Sequence, residues 1–130
     1  MIAIDSSGWI EFFTDGPLAN EYEHYLSAPE TVVTSTLVLF EVYKVVKRER
    51  GEEEALIAAA QLAQTNLVPL SESLALAAAD LGLEHHLAMA DSIVYATALA
   101  HQAELVTSDA DFEGLPRVRY LKKISEPTQR

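Results

Sequence analysis

Two short apolar runs in this sequence each lead into an aspartate. Met1-Ile2-Ala3-Ile4 ends at Asp5, and Leu105-Val106-Thr107-Ser108 ends at Asp109, with Asp111 two residues further on. Another acid, Asp91, heads the alanine-rich, almost wholly apolar stretch 92–100. Oxygen-only donors of this kind suit hard divalent cations such as Mg²⁺ or Mn²⁺. If the two runs are neighbouring parallel strands, about 5 Å apart, Asp5 and Asp109 come close enough to repel. Folding tolerates such a pair mainly where a cation neutralises it. Taken singly, the acids have plainer explanations: an N-cap for Asp91 and turn formation for Asp109 and Asp111.

The elements that must carry these acids alternate along the chain. Residues 6–13 predict a short helix with a Ser cap and Trp9, Phe12 and Phe13 turned to a core. Thr14-Asp15-Gly16-Pro17 is a break, with Pro17 suited to the first turn of a helix over 18–26. A β-branched strand over 31–34 follows, and Ser35-Thr36 cap a helix over 37–48. Glu41 is the only acid in the apolar body of that helix. It lies beside the apolar face, on a side shared with Lys44 and Arg48, and an i,i+3 pair with Lys44 explains it as well as a functional role does. Gly51 ends this helix and Glu52-Glu53-Glu54 open the next. Residues 67–70 predict a third strand, with Pro69 making it an edge or strand-end segment. Ser71-Glu72-Ser73 cap a helix ending at Leu81, with Gly82 as terminator. His85 and His86 are adjacent, point apart on a helix and lack companions, so no zinc site is expected. Residues 117–121 predict a last strand. Strands alternating with helices imply a mostly parallel sheet with helices on both faces.

Composition sets the outer bounds. The chain of 130 residues contains no cysteine, which excludes disulfides, thiolate metal sites and a Cys nucleophile. No apolar run reaches membrane-spanning length, and the N-terminus reads as a strand rather than a signal segment. The expectation is one domain over 1–124 with a polar tail at 125–130, in a soluble, cytoplasmic protein that does not engage a membrane. The formal net charge is −11, unusual for a protein that approaches a polyanion. The nine basic residues fall into two groups, Lys44 to Arg50 and Arg117 to Lys123, with Arg130 alone.

Four segments, in this order and separation, resemble a known family. They are the strand ending Ile4-Asp5-Ser6-Ser7; the helix segment Leu37-Val38-Leu39-Phe40-Glu41-Val42; Asp91-Ser92-Ile93-Val94-Tyr95-Ala96-Thr97-Ala98; and Leu105-Val106-Thr107-Ser108-Asp109-Ala110-Asp111-Phe112. The pattern resembles the PIN-domain nucleases and, in size and layout, the VapC-like toxins of toxin–antitoxin pairs, from Met1 to about Leu121. That resemblance implies a three-layer α/β sandwich around a mostly parallel sheet of four or five strands. It also implies an acidic quartet of Asp5, Glu41, Asp91 and Asp109, with Asp111 as a fifth acid and Thr107 and Ser6 or Ser7 as polar neighbours of the metal.

The activity so implied is Mg²⁺- or Mn²⁺-dependent cleavage of RNA. One or two ions would lower the pKa of a water, align it with the scissile phosphate and offset charge on the leaving 3′-oxygen. Asp5 and Asp91 would be direct ligands, Asp109 would complete the site, and Glu41 would act through water or as a base. A cognate antitoxin that inserts a basic segment, and a homodimer, are the implied protein partners. The chain departs from the family pattern where a basic residue often flanks the last acids, since Ser108 and Ala110 stand there. A catalytically weak PIN-like protein-binding module is the alternative. A phosphoryl-accepting domain is a further one, although no Lys lies near Thr107 in the sequence.

Overall fold

Five segments, Ile2–Ile4 (β1), Val32–Ser35 (β2), Asn66–Val68 (β3), Glu104–Thr107 (β4) and Val118–Tyr120 (β5), line up in one sheet in the computed structural model, which describes residues 1–123. The polar tail expected at 125–130 lies outside these residues. The strand order is β3-β2-β1-β4-β5, and every neighbouring pair is parallel. Six helices connect the strands: Ser6–Phe13 (α1), Ala19–Leu26 (α2), Thr36–Arg50 (α3), Glu52–Ala63 (α4), Glu72–His85 (α5) and Met89–Ala100 (α6).

The chain steps from β1 to β2 to β3 in one direction, then returns past β1 to β4. Right-handed crossovers therefore put α1 to α4 on one face and α5 and α6 on the other. The packing follows this division: α1 lies on α2 and α3, α3 on α4, and α5 on α6. The expected three-layer α/β sandwich around a parallel sheet is the fold found. Strand order reverses at β1, so the crevice at the carboxyl ends of β1 and β4 is the topological switch point where such sheets take ligands. Ile4 pairs with Val106 in register, which brings Asp5 beside Thr107.

The central strands are buried because both faces are covered, and they read as continuous apolar runs for that reason. Ile4, Val32, Val33, Leu105 and Val106 are all nearly inaccessible. Trp9, Tyr22, Tyr95 and Phe112 are the largest wholly buried side chains around them, and Trp9 is thus a core residue, as its pattern suggests. No helix among the described residues is long and apolar enough to cross a membrane.

Several element boundaries differ from the sequence expectation, each for a local reason. Asp5, not a serine, caps α1, accepting from the Gly8 N–H with its carboxylate. Pro17 precedes α2, which starts at Ala19 with Leu18 as its N-cap residue. β3 covers Asn66–Val68 and ends before Pro69, at the sheet edge. Gly82 does not end α5. The helix runs on to His85, and His86 closes it in the left-handed region at φ 59°. A Cβ at Gly82 would lie 2.6 Å from Ser92 Oγ, so this glycine serves the close approach of α5 to α6. Lys44 does not pair with Glu41: its Nζ stands over the Phe40 ring, 5.7 Å from the centroid.

Candidate metal centre

Asp5 is the most buried acid at the switch point, only 4% exposed. It leaves the end of β1 in extended conformation and caps α1, so strand end and helix start are the same residue. Its carboxylate accepts from Thr107 Oγ1 at 2.8 Å, from Ser7 Oγ at 3.0 Å and from the Gly8 N–H at 3.3 Å. The hydroxyl supplied from α1 is that of Ser7, not Ser6. Burial raises the Asp5 pKa to about 6 despite these donors, and the Asp109 charge adds to the rise.

Thr107 ends β4 with no exposed surface and works in both directions. Its hydroxyl donates to Asp5 and accepts the Asp109 N–H at 3.0 Å. Asp109 in turn caps a 3₁₀ turn, Ala110–Phe112, by accepting the Asp111 N–H at 2.9 Å. The turn reading of Asp109 is therefore correct, and it coexists with a second property. One carboxylate oxygen each from Asp91, Asp109 and Asp111 lies within 4.8 Å of the others.

Asp91 does not cap its helix. Ala88 is the N-cap residue of α6, and Asp91 occupies the third helical position, in the first turn. Negative charge is favourable there by the helix dipole. Burial nonetheless raises its pKa to about 6, helped by the charges of Asp109, Asp5, Asp111 and Glu41. Glu41, half-buried on α3, thus faces the cluster closely enough to act on Asp91, yet it stands outside the tight trio.

Asp5 and Asp91 were the expected direct ligands and Asp111 an addition, whereas the three acids whose oxygens all lie within 4.8 Å of one another are Asp91, Asp109 and Asp111. Donors about 2.1 Å from a Mg²⁺ ion in octahedral geometry stand roughly 3–4 Å apart, so modest side-chain movement brings these oxygens into range. The donor set, all carboxylate and hydroxyl, fits a hard divalent cation.

Tyr22, Glu11 and Lys123 make polar contacts that the sequence alone does not show. Tyr22, wholly buried on α2, donates its hydroxyl to Ser108 Oγ at 3.1 Å. Glu11 is buried on α1, accepts the Leu18 N–H at 2.8 Å and pairs with Lys123 Nζ at 3.3 Å. Lysines do reach this end of the sheet, because the Leu121 N–H bonds to the Thr107 carbonyl and Lys122 and Lys123 follow; Lys123 turns to Glu11. A long-range parallel pairing such as β4 with β5 leaves no local signal in the sequence.

The PIN domain family model matches residues 2–118. No curated protein sequence matches this one significantly. Among solved structures, a toxin–antitoxin complex from Klebsiella pneumoniae has a chain 27% identical to this one, with a TM-score of 0.80 over 95% of this chain and 100% of that one. VapC20 of Mycobacterium tuberculosis, described as a sarcin–ricin loop cleaving toxin, superposes with a TM-score of 0.74 at 20% identity, covering 89% of this chain and 95% of that one. VapBC2 from Rickettsia felis, bound to a promoter DNA fragment, gives 0.73 at 19% identity over 94% and 98% of the two chains. Below a quarter identity these likenesses speak for the fold. With a parallel sheet of this order, acids gathered at its switch point and a family model spanning almost the whole chain, this protein belongs to the PIN domain family.

Proposed function

We propose that this protein is a divalent-metal-dependent endoribonuclease and the toxin of a toxin–antitoxin pair. The observation that carries the reading is the gathering of Asp91, Asp109 and Asp111 oxygens within 4.8 Å, at the strand ends where Asp5 is also held. Its likeness to a chain of the Klebsiella pneumoniae toxin–antitoxin complex, and the fold shared with VapC20, support the biological role.

In this reading Asp5, Asp91 and Asp109 hold the ion, Asp111 contributes an oxygen beside them, and Glu41 stands back to orient a water or accept its proton. Bound Mg²⁺ or Mn²⁺ would supply Lewis-acid activation of water and charge neutralisation at the phosphate. The rest falls to the chain. Thr107 and Ser7 fix the Asp5 carboxylate by donating to it, so its free lone pairs are aimed before substrate arrives. Asp109 is held through its own N–H and by capping the turn that carries Asp111. Carboxylates raised to about 6 are mostly ionised at neutral pH and still close to a proton-accepting range.

Divalent-dependent cleavage of RNA, abolished by EDTA and in Asp5→Asn, Asp91→Asn and Asp109→Asn, is the expected result. Cleavage that continues unchanged in excess chelator would refute it. An intact metal site without cleavage of any RNA would favour the binding-module alternative.

The partners follow from the same reading. A net charge of −11 and an acidic cleft suit an antitoxin that inserts an Arg-bearing segment against the acids. We also propose a homodimer, in keeping with Leu76, Leu83 and Met89, which stand more than half exposed on α5 and α6. Light scattering tests the dimer, and the cytoplasm is the compartment where such RNA would be met.

A further inference from the structure

We propose that Tyr22 is a positioning residue for the acid-bearing loop, acting through Ser108; the role assigned to that loop rests on the metal-nuclease reading above. Tyr22 lies on α2 with no exposed surface, and 86 residues of sequence separate it from Ser108. Its hydroxyl donates to Ser108 Oγ, between Thr107, which links to Asp5, and Asp109, which lies in the acidic trio.

The ring reaches this point because residue 8 is glycine. A Cβ there would stand 2.5 Å from Tyr22 Cε1 and 2.8 Å from Cζ. Packing alone does not call for a tyrosine, since a phenylalanine would fill nearly the same volume. What the hydroxyl adds is a directed bond in a region of low dielectric, where a buried O–H must have a partner.

The other bonds of the loop are local. Asp109 N–H to Thr107 Oγ1 and Asp111 N–H to Asp109 Oδ1 each span two residues, and they shape the turn without tying it to the helix layer. The Tyr22 bond ties the loop to α2 by a directed hydrogen bond, beside the apolar packing of Phe112 on Tyr95 of α6, and does so from a firm mount. Glu11 accepts the backbone N–H of Leu18, the α2 N-cap residue, and Arg119 on β5 donates to Tyr25 Oη at 3.0 Å. Helix α2 is thereby fastened to α1 on one side and to β5 on the other, with Tyr22 pointing between them at the end of β4. Ligands held by such a supporting layer keep a productive geometry that free side chains lose.

The test compares wild type with Tyr22→Phe, Ser108→Ala, their combination and Ser108→Thr. In metal-free protein, amide exchange at Asp109 and Asp111 should quicken in both single variants, while β1 and α6 amides keep their rates. Mn²⁺ titration by calorimetry should show affinity lower by about fivefold, the size expected of one hydrogen bond, with kcat at saturating Mn²⁺ near the wild-type value. The double variant should be no worse than either single one, and Ser108→Thr, which keeps the hydroxyl, should behave as wild type. Unchanged exchange at Asp109 and Asp111 would overturn the proposal. So would acceleration throughout the molecule, which would make the bond a contributor to global stability only. Wild type that takes up no Mn²⁺ would instead overturn the metal reading, while the exchange comparison still decides whether Tyr22 holds the loop.

Discussion

Thr107 and Asp5, 102 residues apart, meet at 2.8 Å, hydroxyl to carboxylate, at the ends of two paired strands. The same hydroxyl accepts the N–H of Asp109, so one side chain links two acids that repel each other. Thr107→Val keeps the shape and removes both bonds. We expect a loss of about 1–3 kcal/mol, because the buried Asp5 carboxylate and the Asp109 N–H lose a partner together. The hydroxyl lowers the Asp5 pKa, so the variant should titrate above about 6; NMR of the carboxyl carbon measures this directly.

Stability without metal should fall as pH rises. Asp5 and Asp91 are held at about 6 when folded against 3.8 for the ordinary carboxyl, so the folded chain retains protons that the unfolded chain has released between these values. Unfolding free energy therefore decreases from about pH 4 to pH 6 and levels above that. For buried Asp5 the full effect is on the order of 3 kcal/mol; Asp91, more open to solvent, contributes less, and coupling between the two prevents simple addition. In EDTA, the melting temperature of Asp5→Asn relative to wild type should climb across this interval. A flat difference would contradict the raised value.

Asp91→Asn separates an electrostatic role from a helix-forming one. Ala88 is already the N-cap residue, so the substitution leaves the cap untouched. Removing one of several converging charges should raise the melting temperature in EDTA by a few degrees, about 1 kcal/mol. With millimolar Mn²⁺, wild type should gain stability by linkage and the variant much less. Equal metal-induced shifts in the two proteins would remove Asp91 from the ligand set.

Glu11 and Gly16 form a structural lock that predicts a non-additive pair. A Cβ at Gly16 would lie 2.5 Å from the Glu11 carboxyl, so Gly16→Ala must displace that group. Glu11→Ala should cost about 2 kcal/mol, through the orphaned Leu18 N–H and the lost Lys123 partner. In the Glu11→Ala background, Gly16→Ala should cost far less than alone, because the clashing carboxyl is gone. Chemical denaturation of the four proteins measures the coupling.

The alternation of apolar runs with helical periods made the α/β layering legible, and β-branched Val32-Val33 and Leu105-Val106 marked strands that are indeed buried on both faces. The acids Asp5, Asp91 and Asp109 stood out because each sits at an element boundary. Boundaries themselves were less legible. Gly82 looked like a helix stop, since a sequence does not show that Ser92 of α6 needs the space beside it. Asp111 was undervalued because the turn that Asp109 caps brings its carboxylate back toward Asp91. Tyr22 and Glu11 were hidden for another reason: an aromatic ring at helical spacing reads as core, and an acid on a short helix reads as surface. Only their tertiary partners, Ser108 and Lys123, reveal what their polar atoms do.

Strand β1 is made first and its neighbour β4 almost last, with β2 and β3 laid down in between on the far side. During synthesis Asp5 therefore emerges long before Thr107 and Asp109 exist, and the carboxylate cluster has no early or partial form. Closing a loop of this length costs little more entropy than closing one half as long, yet it must await the whole intervening chain. A chain truncated before residue 104 would lack β4 and, with it, the carboxylates it delivers. The cluster is assembled only when translation of the domain is nearly complete, so the order of the strands sets when these acids come together as well as where.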